Sequence, residues 1–83
     1  MEQIDRTPQR IGAAVRRVRR HQALTQAQLG EKITRRQATV SKLEAGAPNS
    51  RIGTLMDVLA ALNLDLVVRP RARVSESDME AIF

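Results

Sequence analysis

Residues 25–46 read TQAQLGEKITRRQATVSKLEAG, and this stretch decides the fold because it spells two short helices joined by a tight turn. Thr25 followed three residues later by Gln28 is a capping-box pattern: the hydroxyl can accept from the Gln28 N–H while the Gln28 amide reaches back to the Thr25 N–H. The first helix therefore starts at Gln26. Ala27, Leu29, Gly30 and Ile33 leave one side of it apolar and small, with Gly30 expected to let another helix approach closely, while Gln26, Glu31 and Lys32 stay in water. In the second helix Val40 and Leu43 are spaced i, i+3 and face the core, which leaves Arg36, Gln37, Thr39, Ser41 and Lys42 outside. Gly46 and then Pro48 close it. A connection of about three residues forces the two helices to cross steeply, the geometry of a helix-turn-helix.

Upstream, Thr7-Pro8 is a helix start, with Thr7 as N-cap and Pro8 at the first helical position, where its missing N–H costs nothing. Ile11, Ala14, Val15 and Val18 recur with helical period and give one apolar stripe, and Arg10, Arg16, Arg17 and Arg20 occupy the rest of the circumference. Arg19 lies at the edge of that stripe rather than opposite it. Residues 1–6 show no periodicity and are expected to be a flexible N-terminus, so the domain proper is expected to span 7–69.

Downstream, Asn49 and Ser50 are turn and capping residues. Ile52, Leu55, Leu59 and Leu62 trace a fourth helical stripe, flanked and widened by Met56 and Val58. So broad an apolar face suggests a surface shared with a second copy of the chain. Leu64, Leu66 and Val68 alternate with Asp65, Val67 and Arg69, which is strand patterning, ended by Pro70. One strand leaves its backbone groups unsatisfied, and no second strand of comparable quality exists in the sequence, so pairing with the same strand of a twofold-related copy is the economical solution. Residues 70–83 read as a polar linker and an acidic tail. In that tail Met79, Ile82 and Phe83 stand at i, i+3, i+4, either as a disordered end or as a short peptide that folds onto a partner.

Eighty-three residues suffice for one small domain with a marginal core. There is no cysteine, which excludes disulfides, thiolate metal sites and thiol catalysis. No apolar run approaches a membrane span and the N-terminus lacks the apolar core of a signal peptide, so cytoplasmic residence is expected. The net charge of +5 is uneven, with a basic body and a tail whose Glu76, Asp78 and Glu80 meet no base. A basic body favours anionic partners but does not by itself distinguish DNA from RNA or membrane. His21, the only histidine, has no acid or second ligand near it in sequence, and Ser41 has no general base in view. Neither an enzyme nor a metal or other cofactor is therefore expected.

The runs LTQAQL and I-x-x-x-QATVSKLEAG, over residues 24–46, resemble the phage-repressor or Xre family of helix-turn-helix proteins. Together with IGTLMDVLAALNLDLVV over 52–68, they most resemble the HipB-like antitoxins, DNA-binding partners of HipA-like kinases. The resemblance implies an all-α, compact four- to five-helix phage-repressor-like domain, with one C-terminal β-strand pairing across a homodimer. It further implies an ion pair between Arg19 and Glu44 that clamps the first helix to the third, and a toxin kinase as the partner of the tail. Two positions depart from the family pattern. Thr34 stands in the turn where glycine is usual, and Arg35 takes a place that is usually apolar.

Helix-turn-helix geometry puts the start of the second motif helix in the major groove. Arg36 is then suited to guanine O6 and N7, Gln37 to adenine N6 and N7, and Ala38 with the Thr39 methyl to thymine methyls. Thr25, Gln26, Ser41, Lys42 and Arg51 would grip phosphates and set the register, with Arg35 pointing outward as a further phosphate contact. A dimer of such domains implies a palindromic operator in double-stranded DNA. The function expected is a repressor acting as the antitoxin of a kinase toxin and regulating its own operon. The alternatives are a stand-alone phage- or plasmid-type repressor, and an adaptor that binds an acidic protein.

Overall fold

A computed structural model describes residues 7–71, which form four helices: α1 (Pro8–His21), α2 (Gln26–Lys32), α3 (Gln37–Glu44) and α4 (Ile52–Ala61). The N-terminal six residues and the tail positions Met79, Ile82 and Phe83 lie outside the described residues. Thr7 caps α1, its hydroxyl accepting from the Arg10 N–H at 3.1 Å, with Pro8 in the first turn. Thr25 caps α2 in a full capping box, with Gln28 N–H to Thr25 Oγ1 at 3.0 Å and Thr25 N–H to Gln28 Oε1 at 2.9 Å.

All four helices end the same way. Ala23, Thr34, Gly46 and Asn63 follow the C-caps of α1 to α4 with φ of 58°, 57°, 81° and 60°. In each case the next residue's N–H returns to a carbonyl five positions back: Leu24 to Arg19, Arg35 to Gly30, Ala47 to Lys42 and Leu64 to Leu59. This is the Schellman closure, which satisfies carbonyls that a helix end leaves open. Glycine and asparagine enter the left-handed region at little cost, whereas a β-branched threonine does not. Thr34, the position where the resemblance leads one to expect glycine, therefore holds strain in the turn. Thr34→Gly is expected to raise folding stability by roughly 0.5–1 kcal/mol, the relief of a left-handed side chain less the greater chain entropy of glycine. A thermal melt checks this, and an unchanged or lower midpoint would contradict it.

The core is Val15 from α1, Leu29 from α2, Val40 and Leu43 from α3, and Val58, Leu59 and Leu62 from α4 and its cap, with Val18, Leu24, Ile33, Leu55 and Leu64 packed around them. The α4 register differs from the stripe expected of the sequence. Val58, expected only to flank the stripe, is wholly buried, and Ile52, expected on it, is 72% exposed. The buried face of α4 runs through Thr54, Leu55, Val58, Leu59 and Leu62, which centres it on Val58 and leaves Ile52 at its edge. At Gly30 a side chain would meet the Arg35 carbonyl at 2.9 Å and, at 3.4 Å, Arg36 and the Gln37 nitrogen, so what approaches closely there is the turn together with the start of α3. A closer helix approach is at Gly12, where a Cβ would lie 2.5 Å from the Leu43 and Glu44 carbonyl oxygens. That glycine lets α1 lie directly on the end of α3.

After α4, residues 64–71 form neither helix nor strand, so the expected strand is not seen among the described residues. Leu64 is half-buried against the core, while Leu66, Val67 and Val68 are exposed. No helix among the described residues is long and apolar enough to cross a membrane.

Candidate nucleic-acid interface

Residues 33–36 link α2 to α3, and Arg36 ends the link as the α3 N-cap, in an extended conformation and with no side-chain capping bond. Its guanidinium is thus not spent on the helix end. Arg36, Gln37 and Ala38 are exposed together at the tip of α3, with Ser41 and Lys42 exposed one turn on. Thr39 is half-buried and borders a hollow that Leu43 and Thr54 also line. Of the four residues expected to read bases, three therefore share one open surface.

What fixes this tip is a chain of polar contacts that begins in the core. Arg19 is 6% exposed and Glu44 7%. The guanidinium meets the carboxylate through two bonds, Nε to Oε2 at 2.6 Å and Nη2 to Oε1 at 2.9 Å, the bidentate form that adds geometric definition to charge. A third donor, Nη1, reaches the Leu24 carbonyl at 2.8 Å and ties the pair to the link before α2. The Glu44 hydrogen bond, helped by its charge and opposed by burial, raises the Arg19 pKa above its ordinary value. For a cation with a raised folded-state pKa, the associated stability is fully present below the ordinary value and is lost only as pH climbs through the raised one. The guanidinium therefore stays charged across neutral and moderately alkaline pH.

The contacts continue outward. Glu44 Oε1 also accepts from Gln26 Nε2 at 3.1 Å, and Gln26 Oε1 accepts from Gln37 Nε2 at 3.4 Å. Gln26, expected on a phosphate, is half-buried and lies between the buried pair and the first residue of α3, with one amide N–H to spare. That last contact is long and solvent-exposed, so it biases the Gln37 amide rather than locking it, and it leaves the Gln37 oxygen and one N–H open, the acceptor and donor that an adenine edge requires. Nothing in the linear spacing of residues 19, 26, 37 and 44 signals this relay. It depends on how α1, α2 and α3 cross.

The residues expected at phosphates fall on two sides of the tip. Thr25 is exposed at the start of α2, its oxygen engaged by the capping box and its hydroxyl hydrogen available. Arg35, Lys42 and Arg51 converge on the other side, around the hollow between α3 and the start of α4. Asn49, Ser50 and the buried Thr54 line the same hollow; sequence reasoning missed them as site residues, because small polar side chains around a turn look like any other turn. No group of histidine or acidic residues suited to a metal ion occurs among the described residues.

Comparison with known proteins fits this geometry. A helix-turn-helix family model (HTH_3) matches residues 15–68. Among solved structures, a HipB–O2 20-mer complex is similar, with 30% identity, a TM-score of 0.78 and coverage of 86% of this chain and 99% of that chain. A HipB–O4 20-mer complex and a HipA–HipB–O2–O3 complex are each 28% identical with TM-scores of 0.79, covering 84% of this chain and 99% of theirs. No curated protein sequence matches the chain.

Proposed function

Because this chain belongs to the Xre-type helix-turn-helix family and is HipB-like in fold, we propose that it is a non-enzymatic, sequence-specific DNA-binding repressor. It acts as the antitoxin of a HipA-like kinase and represses its own operon. The observation that carries the DNA reading is the open tip of α3, where Arg36, Gln37 and Ala38 stand clear of the protein while Gln37 is tethered through Gln26 to a buried ion pair. A side chain whose orientations are narrowed before binding loses less entropy on meeting a base edge, so even this weak bias lowers the cost of discrimination between bases. Arg36 reads guanine, Gln37 adenine, and Ala38 with the rim of Thr39 contacts thymine methyls. Thr25, Ser41, Lys42, Arg35 and Arg51 engage phosphates, and Gln26 contributes its spare N–H.

The working unit is a homodimer. Leu66, Val67 and Val68 on the segment after α4 are exposed, as are Ile52 and Met56 on α4 itself, and the alternation of Leu64, Leu66 and Val68 suits a strand that would pair with a second one. Pairing Leu64, Leu66 and Val68 with their twofold mates would cover this apolar surface. It would also set two α3 tips about 34 Å apart, or a multiple of that, facing a palindromic operator. The neighbouring structure that contains HipA as well as HipB supports a kinase partner for this chain, engaged by the tail that holds Met79, Ile82 and Phe83.

Retardation of the native promoter against a scrambled duplex at physiological salt tests the DNA reading. Arg36→Ala is expected to lose about 1–3 kcal/mol at one base position and to relax specificity there. An equal loss on every duplex would remove Arg36 from the base readers, and equal competition by scrambled DNA against the unaltered protein would remove the reading as a whole. Truncation after Arg73 separates antitoxin from stand-alone repressor: it is expected to abolish co-purification with the kinase and leave promoter binding intact. Retained co-purification would free the tail from that role.

A further inference from the structure

The end of α4 is tied to the end of α1 by a bond that lies outside the relay to α3. Gln22, the C-cap of α1, donates from Nε2 to the carbonyl of Leu62, the C-cap of α4, at 2.9 Å. A helix end leaves its last carbonyls without intrahelical donors. Among the described residues no backbone N–H returns to the Leu62 carbonyl, so the Gln22 amide answers it. The backbones of α1 and α4 come close at few places, which leaves side chains to fix the two ends relative to one another. The next residue, Asn63, is left-handed with φ of 60°, and the Leu64 N–H closes the turn on the Leu59 carbonyl at 2.8 Å. Segment 64–71 therefore sets out from a reversal whose first peptide is pinned to α1. The same last turn of α1 carries Arg19, which holds the Leu24 carbonyl and Glu44, and Glu44 in turn holds Gln26. One turn of helix thus grips the base of the departing segment on one side and the support of α3 on the other.

We propose that Gln22 is a positioning residue for operator recognition. By pinning the turn from which segment 64–71 departs, it fixes the angle between that segment and α3. In two copies joined through the segment, it thereby fixes the separation of the two α3 tips. This role rests on the homodimer and DNA readings above. One extra base pair between half-sites displaces one of them by about 3.4 Å and turns it by roughly 35° around the duplex. Domains held at one angle meet that displacement only by straining, whereas domains on a loose turn follow it. Gln22 therefore selects the spacing of half-sites and not their bases.

The chain has no cysteine, so Lys32→Cys, at an exposed position in the last turn of α2, carries one spin label per copy of the full chain. Pulsed electron resonance then reads the distance between the labels of two joined copies. One narrow distribution is expected. Gln22→Met, which keeps the side-chain length and cannot donate, is expected to broaden it, and Gln22→Lys, which keeps a donor, to restore it. Fluorescence anisotropy supplies the second reading, the ratio of affinities for the native promoter and for the same duplex with one base pair inserted at the centre of its operator. In Gln22→Met that ratio is expected to fall by about three- to tenfold, the net worth of one hydrogen bond, and in Gln22→Lys to recover. A variant that is merely less stable binds both duplexes less well and leaves the ratio unchanged. If either reading is unchanged in Gln22→Met, or Gln22→Lys fails as Gln22→Met does, the role of Gln22 is overturned and the homodimer reading stands. Absence of any distance between copies in the labelled chain with Gln22 intact would overturn the homodimer reading and this role with it. Equal binding of promoter and scrambled duplex would do the same to the DNA reading and to operator positioning, whatever the labels show.

Discussion

An Arg19→Ala variant is expected to lose about 3–5 kcal/mol of folding stability, because it strands the Glu44 carboxylate in the interior with its main partner gone. Both groups are more than nine-tenths buried and joined by two bonds, so solvent does little to screen the loss. The damage is not confined to one pair. Arg19 also holds the Leu24 carbonyl, and Glu44 holds Gln26, so the variant loosens the link into α2 and the strut beneath Gln37. Small domains have stabilities of roughly 0.05–0.15 kcal/mol per residue, about 4–12 kcal/mol for a chain of this length, so the variant would give up a large share of its total stability. Urea unfolding followed by far-ultraviolet circular dichroism gives the number. Arg19→Lys keeps the charge but cannot make two parallel bonds, and should fall between the two. Replacing both residues with methionine should recover much of the loss, since an apolar pair leaves no buried charge. A loss of only a few tenths of a kcal/mol in Arg19→Ala would falsify the assignment of the pair as the clamp between α1 and α3.

The second large effect is the response of DNA binding to salt. Arg35, Lys42 and Arg51 are three cations on the phosphate side of the tip, and a twofold pair of protomers brings six. Each phosphate neutralised releases counterions, so the logarithm of affinity should fall against the logarithm of salt with a slope near −5, about a thousandfold loss between roughly 50 and 200 mM salt. A single protomer on DNA would show about half that slope, so the measurement also reports whether two copies act together. Lys42→Ala removes one contact from each protomer and should flatten the slope by about 2, weakening all sequences alike. Fluorescence anisotropy of a labelled promoter duplex over a salt series supplies both quantities. A slope near zero would show that these cations meet no phosphate.

Much of this molecule is legible in its sequence because its local signals agree. The Thr7-Pro8 start, the Thr25–Gln28 capping box and the Gly46 stop are each decided by residues within one helical turn, and the structure has all three. The resemblance pointed to Arg19 and Glu44, which apolar periodicity alone would have left as two surface charges. What could not be read were matters of crossing and register. Val58 exchanged places with Ile52 because the buried face of α4 runs through Thr54, Leu55, Val58, Leu59 and Leu62, and an apolar stripe that passes over a buried threonine misjudges the centre of that face. Gly12, lost among the small residues of α1, turned out to be the contact that lets α1 touch the end of α3.

The sequence by itself determined where α1 and α2 begin, where α3 stops and three of the side chains exposed at the tip of α3, since capping, breaking and periodicity act over three or four residues. Only the tertiary structure decided that Gln26 belongs to a relay from the buried pair to Gln37, and that Thr54 joins three cations around one cavity. Those groupings join residues up to 25 positions apart. Their partners are chosen by the angle at which helices pack, and that angle is set by the whole core rather than by any short stretch of chain.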